Sequence, residues 1–303
     1  MIIIRVMGGL GNQLQQYALY RKLEMLGREA ALDFSWFDRE IQENMQAPRE
    51  LELNRLEGLS MKTASPDQVR ALLGRRYEDR ESVFEKVKRK ISPSLARVFE
   101  ETDIYHPEVL RWKNKYLVGY WACEAYYADI LEALREEIRF PESADSRNRE
   151  AAEQMEECES VSLHIRRGDY LDAANVSMFG NICTEAYYER AVSYVKERYP
   201  KAVFFLFSDD SAYVRERYQG PEYRVVDWNK KENNCYDMML MSCCKHNICA
   251  NSTFSFWGAR LNGHEGRIMI RPSVHKNTQV CVPEQMNRLW AGWTLISPEG
   301  VCI

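Results

Sequence analysis

The feature that most constrains the fold of this chain is the alternation of short apolar runs with segments of helical periodicity. The second half contains five such runs, at residues 161–165, 203–207, 223–226, 247–250 and 267–271. Short strand-like runs that alternate with helical segments are typical of a parallel α/β sheet. Because helical patterns separate these runs, the second half is predicted to form a Rossmann-like α/β domain.

The N-terminus shows the same pattern on a smaller scale. Ile2–Val6 predicts a buried strand, and Glu29–Phe34 predicts a second one. Between them, apolar residues at helical spacing predict a helix over Gln13–Leu26 that Gly27 ends. Residues 35–101 are mostly polar with helical spacing. They predict helical insertions in an N-terminal α/β domain.

A polar segment separates the two halves. Residues 141–150 read PESADSRNRE, with alanine as the only apolar residue type, which predicts a linker. A chain of 303 residues is long enough for two domains of ordinary size. We therefore expect Rossmann-like domains over residues 1–140 and 151–303, with a cleft between them.

Charge and hydropathy exclude several classes of protein. The net charge of −4 and pI near 5.9 argue against a nucleic-acid partner held by bulk positive charge, so any bound anion needs local cations. The N-terminal apolar run is too short for a signal peptide, and no apolar window is long enough to span a bilayer. The expected location is the cytoplasm. The basic run EKVKRK at residues 85–90 leaves peripheral contact with an anionic inner membrane open, beside a solvated charged face.

The cysteines predict free thiols. Their number, nine, is odd, which is typical of reduced thiols in a reducing compartment. Cys243, Cys244, His246 and Cys249 are close together in the sequence, but they lack the paired two-residue spacing of zinc sites. No structural metal is predicted.

Charged residues follow the first strand of the second half, in the stretch HIRRGD. Ligands of open α/β sheets bind beyond the carboxyl ends of the strands, and a guanidinium suits bidentate phosphate binding. Arg166 and Arg167 are therefore candidate phosphate ligands, with surface charges as the alternative. His164 lies on the strand itself and is a candidate ligand contact or a core histidine. Asp169 is a candidate catalytic residue, or it only orients Arg167. An adhesive Arg-Gly-Asp tripeptide is a remote alternative.

The next strand ends in FSDD, with Asp209 and Asp210. Clustered aspartates can hold a divalent metal ion, and a carboxylate can instead accept hydrogen bonds from guanine or ribose. Asp210 can also simply cap the following helix. Because arginines are available to neutralise phosphate, we favour nucleoside recognition without a metal.

Two further motifs place polar groups at helix starts. Ser252, Thr253 and Ser255 in ANSTFSFW provide hydroxyls and backbone N–H groups for an anion, with plain N-capping as the alternative. In GGLGNQ, Gly9 and Gly11 have G-x-G spacing, but Leu14 replaces the third glycine of a dinucleotide site. The glycines predict close approach of the backbone to a ligand. Asn12 and Gln13 are predicted to offer side-chain amides to it.

Five stretches of the chain resemble motifs of the α-1,2-fucosyltransferase family of inverting sugar transferases, and they occur in the order expected for that family. HIRRGDY is similar to the His-x-Arg-Arg-x-Asp motif that this family shares with α-1,6- and protein O-fucosyltransferases. The other four are GGLGNQ, GYWACEAYYADI, FSDD and ICANSTFSFWGARL. The resemblance implies a GT-B type fold, in which the C-terminal domain holds the donor GDP-β-L-fucose and the N-terminal domain a galactose-terminated glycan acceptor. The donor GDP-L-fucose is a substrate, and we expect neither a cofactor nor a metal ion.

The resemblance also implies roles for single residues. Arg166 and Arg167 would contact the pyrophosphate, and His164 and one of Asp209 or Asp210 would contact the nucleoside. The phosphate-side loop would contain Ser252, Thr253 and Ser255. Asn12 would face the reacting centre. In α-1,6 relatives a glutamate after the motif is the catalytic base, but alanine stands at the matching place here. Asp169 and Asp172 are therefore the candidate bases. Another GDP-sugar transferase or a protein O-fucosyltransferase of the same fold is the alternative.

Overall fold

The computed structural model describes residues 1–45, 47–75, 77, 82–83, 86–87, 91, 95–102, 105–168, 170, 172–173, 175–278, 285–286 and 289–303. The chain divides into two compact units, Met1–Arg139 and Phe140–Ile303.

Unit 1 contains a four-stranded parallel sheet. Its strands are β1 (Ile2–Arg5), β2 (Ala30–Asp33), β3 (Val98–Glu100) and β4 (Lys115–Val118), in the order β2-β1-β4-β3. Its α-helices are α1 (Leu10–Met25), α2 (Arg39–Gln42), α3 (Pro66–Leu73) and α4 (Leu131–Glu137). Short 3₁₀ helices cover Ser35–Phe37, Leu53–Arg55, Pro107–Arg111, Glu124–Tyr126 and Ala128–Ile130.

The ends of the unit 1 helices follow local sequence signals. Gly27, at φ 70°, lies just past the end of α1, where an L-residue would be strained. Helix α3 begins with a capping box, in which Ser65 and Gln68 satisfy each other's backbone N–H groups. Within the described part of residues 35–101, α2, α3 and 3₁₀ turns are helical, residues 83, 86, 87 and 91 also have helical backbone, and the segment supplies strand β3.

Unit 2 contains a six-stranded parallel sheet. Its strands are β5 (Ser160–Ile165), β6 (Val203–Ser208), β7 (Tyr223–Val226), β8 (His246–Ile248), β9 (Met269–Pro272) and β10 (Trp293–Ile296). The spatial order β7-β6-β5-β8-β9-β10 is the Rossmann order 3-2-1-4-5-6. The predicted α/β class, with a Rossmann-like sheet in each half as in GT-B folds, is therefore confirmed. The prediction of five strands missed β10, a four-residue strand at the edge of the sheet.

Helices cover both faces of this sheet. They are α5 (Ser146–Glu157), α6 (Val176–Phe179), α7 (Glu185–Lys196), α8 (Ser211–Arg217), α9 (Cys235–Cys243) and α10 (Thr253–Leu261), with a 3₁₀ turn at Lys231–Asn233. Alternate residues of β6 pack on opposite sides: Phe204 and Leu206 join the cluster that includes α7, whereas Phe205 and Phe207 join α5 and α9. Burial on both faces explains why β6, with the sequence VFFLFS, reads as an almost continuous apolar run.

The predicted linker is shorter in the structure. Helix α5 begins at Ser146, so residues 146–150 of the predicted segment 141–150 are helical. The Asp145 side chain accepts a hydrogen bond from the Arg147 backbone N–H and caps this helix. The polar composition that suggested a linker therefore belongs partly to the exposed first turns of a helix.

The described part of the chain has no helix that combines the length and the apolar character needed to cross a membrane.

A buried amide pair joins α5 to the segment after β7. The Asn148 and Asn229 amides donate to each other at 2.9 and 2.7 Å, and Asn148 Oδ1 also accepts from Trp228 Nε1 at 2.9 Å. Both asparagines are buried. We predict that Asn148→Ala lowers the free energy of unfolding by about 2–3 kcal/mol, because it leaves buried polar groups without partners.

Urea denaturation followed by circular dichroism measures this effect. Arg149→Ala is the matched control, since Arg149 is the next residue of the same helix and is exposed. Equal midpoints for the two variants would contradict a structural role for the amide pair.

Candidate functional site

The strand order of unit 2 places three polar clusters side by side. The order reverses between β5 and β8, and ligands of such sheets bind at this switch point, beyond the carboxyl ends of the strands. Arg166 and Arg167 follow β5, and Ser252 follows β8. Asp209 and Asp210 follow β6, the other neighbour of β5. The fold thus brings together the residues that the sequence predicted as a donor site.

Two ion pairs connect the loops after β5 and β6. Arg166 Nη1 lies 3.1 Å from Asp209 Oδ2, and Arg167 Nε lies 3.1 Å from Asp210 Oδ2. The Arg167 backbone N–H also donates to Asp209 Oδ1 at 2.9 Å. All four side chains are partly exposed, so the pairs contribute little net stability. Their effect is to orient the guanidinium groups.

Two contacts hold the Arg167 guanidinium. Its guanidinium carbon lies 3.7 Å from the centroid of the Tyr213 ring, and its Nε is bound to Asp210. Among the described residues, no hydrogen-bond partner engages its two terminal nitrogens. A Cβ at Gly168 would lie 2.6 Å from Asp209 Oδ2, so the close loop packing requires glycine there. Arg167 therefore presents terminal donors from a fixed position.

The two aspartates have structural partners. Asp210 caps α8 by accepting the Tyr213 N–H at 3.0 Å, which is the alternative that the sequence left open. This bond and Arg167 hold the pKa of Asp210 below its usual range. Asp209 accepts from the Arg167 N–H and pairs with Arg166. Both carboxylates therefore bind and orient arginines. Their contacts with a nucleoside stay a prediction.

His164 is a buried, neutral side chain. Burial, followed by the nearby charge of Arg166, lowers its pKa to about 3. Its Nδ1 has no hydrogen-bond partner among the described residues, and its ring centroid lies 6.1 Å from that of Phe254 on α10. A neutral imidazole with an unsatisfied nitrogen can exchange a hydrogen bond with a ligand, but it cannot serve as an acid near neutral pH.

Helix α10 begins without a side-chain cap. Ser252 is the N-cap residue, yet no side-chain hydrogen bond caps the helix, so plain N-capping does not explain the Ser-Thr pair. Thr253 is half-buried, whereas the Ser255 hydroxyl is buried and donates to Ser252 O at 3.2 Å. The first-turn N–H groups and the Thr253 hydroxyl are suited to bind an anion.

The GGLGNQ motif of unit 1 differs from its prediction at Gln13. This buried amide donates to Gly8 O and Glu50 O and accepts from the N–H groups of Glu52 and Leu53. Its donors and its oxygen are thus engaged with the backbone. The prediction that Gln13 offers its amide to a ligand is therefore corrected.

The start of α1 is occupied by a carboxylate. Glu52 Oε1 accepts the Leu10 N–H at 3.0 Å, where a dinucleotide site would place phosphate. Gly9 is the N-cap of α1, and Gly11 lies buried inside its first turn. The glycine with the left-handed φ of 81° is Gly8, and its added Cβ would lie 2.5 Å from the half-buried Asn12 amide. Gly8 was not predicted, because the G-x-G spacing in the sequence belongs to Gly9 and Gly11.

Another missed feature is the backbone at Trp121, in the GYWACEAYYADI stretch. Trp121 has a φ of 53°, which is costly for a bulky residue. Glu101 stabilises this conformation, because its Oε2 accepts the N–H groups of Tyr120 and Trp121 at 2.7 and 2.6 Å. Strain of this kind follows a tertiary contact, and no local sequence signal reports it.

The predicted catalytic bases are Asp169 and Asp172. Asp169 lies outside the described residues. Asp172 is exposed, and its backbone oxygen accepts the N–H groups of Asn175 and Val176. Their predicted roles stay predictions.

Within the described residues, no three His, Cys, Asp or Glu side chains form a group that could hold a metal ion. Cys243, Cys244 and Cys249 are free thiols, and His246 Nε2 lies 2.8 Å from Glu159 Oε1.

Several known proteins are similar to this chain in sequence. The family model of glycosyl transferase family 11 matches residues 105–296. The chain is 29% identical to an α-1,2-colitosyltransferase of Escherichia coli, over 90% of this chain and 91% of that protein. It is 31% identical to the O-antigen biosynthesis glycosyltransferase WbnK of Escherichia coli, over 88% and 91%. A shorter match, 35% of this chain and 31% of the relative, is 32% identical to galactoside α-(1,2)-fucosyltransferase 2 of Bos taurus.

Solved structures show a more distant similarity. A crystal structure of NodZ α-1,6-fucosyltransferase soaked with GDP-fucose matches with a TM-score of 0.46 and 15% identity, over 86% of this chain and 92% of that one. POFUT1 in complex with GDP matches with a TM-score of 0.45 and 13% identity, over 88% and 97%. The family model spans more than half of the chain and includes every residue of the unit 2 site. The chain belongs to glycosyl transferase family 11, and the protein is a glycosyltransferase.

Proposed function

We propose that the protein transfers L-fucose from GDP-β-L-fucose to O2 of a terminal β-galactoside of a glycan, forming an α-1,2 linkage. The observation that carries this proposal is the pair of oriented arginines at the switch point of the unit 2 sheet, beside the uncapped start of α10. Two relatives named for α-1,2 transfer support the linkage. Family membership also favours a transferase over the adhesive Arg-Gly-Asp alternative.

The chemistry is a single displacement. The acceptor O2 attacks C1 of the sugar, a new C1–O2 bond forms, and the bond from C1 to the β-phosphate oxygen breaks, so the β donor gives an α product. The hydroxyl proton leaves to a base, for which Asp169 and Asp172 are the proposed candidates. Negative charge increases on the departing diphosphate. Arg166, Arg167 and the N–H groups of α10 stabilise that charge, and the neutral His164 contacts the nucleoside.

The arginines should matter more for turnover than for folding. We predict that Arg167→Ala lowers kcat at least about 100-fold, because a preorganised donor aimed at developing charge contributes about 3–4 kcal/mol. Asp210→Asn should lower kcat less, since asparagine still caps α8 and only the charge that orients Arg167 is lost. Steady-state kinetics with GDP-fucose measure both, with Arg149→Ala as the exposed control. Turnover of Arg167→Ala within a few-fold of wild type would refute the clamp.

We also propose that the reaction needs no divalent metal. Asp209 and Asp210, the candidate metal ligands of the sequence, are bound to guanidinium groups that can neutralise the diphosphate instead. Activity should therefore persist after dialysis against EDTA. Loss of activity that added Mg²⁺ or Mn²⁺ restores would overturn this expectation and favour an aspartate–metal site.

A second donor is favoured by one observation, the similarity to an α-1,2-colitosyltransferase over 90% of the chain. Colitose is L-fucose without one hydroxyl group. A site that hydrogen-bonds this hydroxyl discriminates strongly against the sugar that lacks it, because buried polar groups then lose their partner. We expect kcat/KM for GDP-fucose to exceed that for GDP-colitose.

An array of galactose-terminated glycans, assayed separately with each donor, tests donor and acceptor together. GDP-mannose is the control donor. A higher kcat/KM with GDP-colitose would replace fucose by colitose in the proposal, and transfer only to protein hydroxyls would reject the galactoside acceptor.

A further inference from the structure

An exposed apolar stripe lies in unit 1. Val83, Val87 and Ile91 are 78%, 47% and 76% exposed. All three have helical backbone, and the Lys86 N–H donates to Ser82 O at 3.1 Å, as in an α-helix. Residues four apart lie on the same face of a helix, so Val83 and Val87 share a face, and Ile91 follows in the sequence at the same spacing. Large apolar side chains grouped in this way usually mark a surface that another phase or molecule covers.

Cations accompany this stripe. Lys86 is exposed, and Leu95, 69% exposed, extends the apolar character further along the chain. The sequence from residue 83 to 97 holds five Lys or Arg and one acidic residue, Glu85, although the whole chain carries a net charge of −4. Positive charge is therefore concentrated in the part of the sequence that carries the exposed apolar side chains.

We propose that the surface formed by Val83, Lys86, Val87, Ile91 and Leu95 docks the protein on an anionic lipid bilayer. Apolar side chains with adjacent cations match the acyl boundary and the charged headgroups of such a surface. Nucleic acid offers the apolar stripe no partner. A symmetric contact with a second copy would bring two groups of cations together, which charge repulsion opposes. This inference does not depend on which sugar the enzyme transfers.

Two contributions act together in this proposal. The apolar side chains gain by burial in the interface, and each cation near an anionic surface strengthens binding about fivefold. A single weak anchor gives only marginal, reversible membrane binding, whereas two signals give stable attachment. Removing either contribution should therefore release the protein.

Co-sedimentation of the full chain with vesicles tests the proposal. Wild type should sediment with vesicles of phosphatidylcholine and phosphatidylglycerol, but not with phosphatidylcholine alone, and high salt should weaken binding. Replacing the four cations Lys86, Lys88, Arg89 and Lys90 by Gln should lower the partition coefficient at least about 100-fold. The triple variant V83S/V87S/I91S should also lose binding.

Matched controls separate this surface from general charge and hydropathy. Replacing Lys113, Arg149, Lys201 and Lys230 by Gln removes the same charge from exposed positions elsewhere. M25S/L26S/V301S removes exposed apolar side chains elsewhere. Both controls should bind like wild type, and all variants should keep the wild-type kcat with a soluble acceptor.

Three results would overturn the proposal. They are no sedimentation of wild type with anionic vesicles, equal loss in the control variants, and light scattering that shows V83S/V87S/I91S converting a stable dimer to a monomer while vesicle binding is unchanged. The last result would assign the stripe to contact between two copies. A failure of the sugar-transfer assay, by contrast, would leave the vesicle result unaffected.

Discussion

The candidate site depends on the pairing of Arg166 with Asp209 and of Arg167 with Asp210. Each pair joins the loops that follow two adjacent parallel strands. Ile165 is opposite Ser208 in the sheet, so the residues that follow β5 and β6 leave the sheet side by side. A shift of register by one residue would separate both pairs and turn the apolar side chains of β6 to the wrong face. The geometry of the arginines is therefore maintained by the packing of the sheet core.

The two units use the start of a helix in opposite ways. Both α1 and α10 follow a buried parallel strand, and the N-terminus of each helix favours negative charge. In unit 1 the Glu52 carboxylate meets this need from within the fold. In unit 2 the Ser252 side chain makes no capping hydrogen bond, and among the described residues no carboxylate accepts the first N–H groups of α10. Two arginines emerge from the neighbouring strand β5. The fold thus makes unit 2 the suitable place for a diphosphate, although GGLGNQ in unit 1 looks more like a nucleotide motif.

The net charge of the chain does not show where anions can bind. An acidic chain can bind anions if its cations are positioned locally, and Arg166 and Arg167 are positioned by carboxylates that also limit their freedom. The cations near Val87 are different, because residues 83–97 hold five Lys or Arg and a single acidic residue, Glu85. Local arrangement of charge, and not its sum, therefore determines which surfaces can meet an anion.

The sequence by itself determined the α/β class, the strands of the unit 2 sheet except β10, and the polar clusters at three strand ends. These features are local, because periodicity, buried apolar runs and turn residues act over a few positions. Only the tertiary structure decided that Gln13 holds a loop, that Glu52 occupies the start of α1, and that Asp209 and Asp210 bind arginines. Those outcomes join residues about 40 positions apart. Side-chain chemistry shows that such groups need partners, but which partner is within reach depends on how the chain packs.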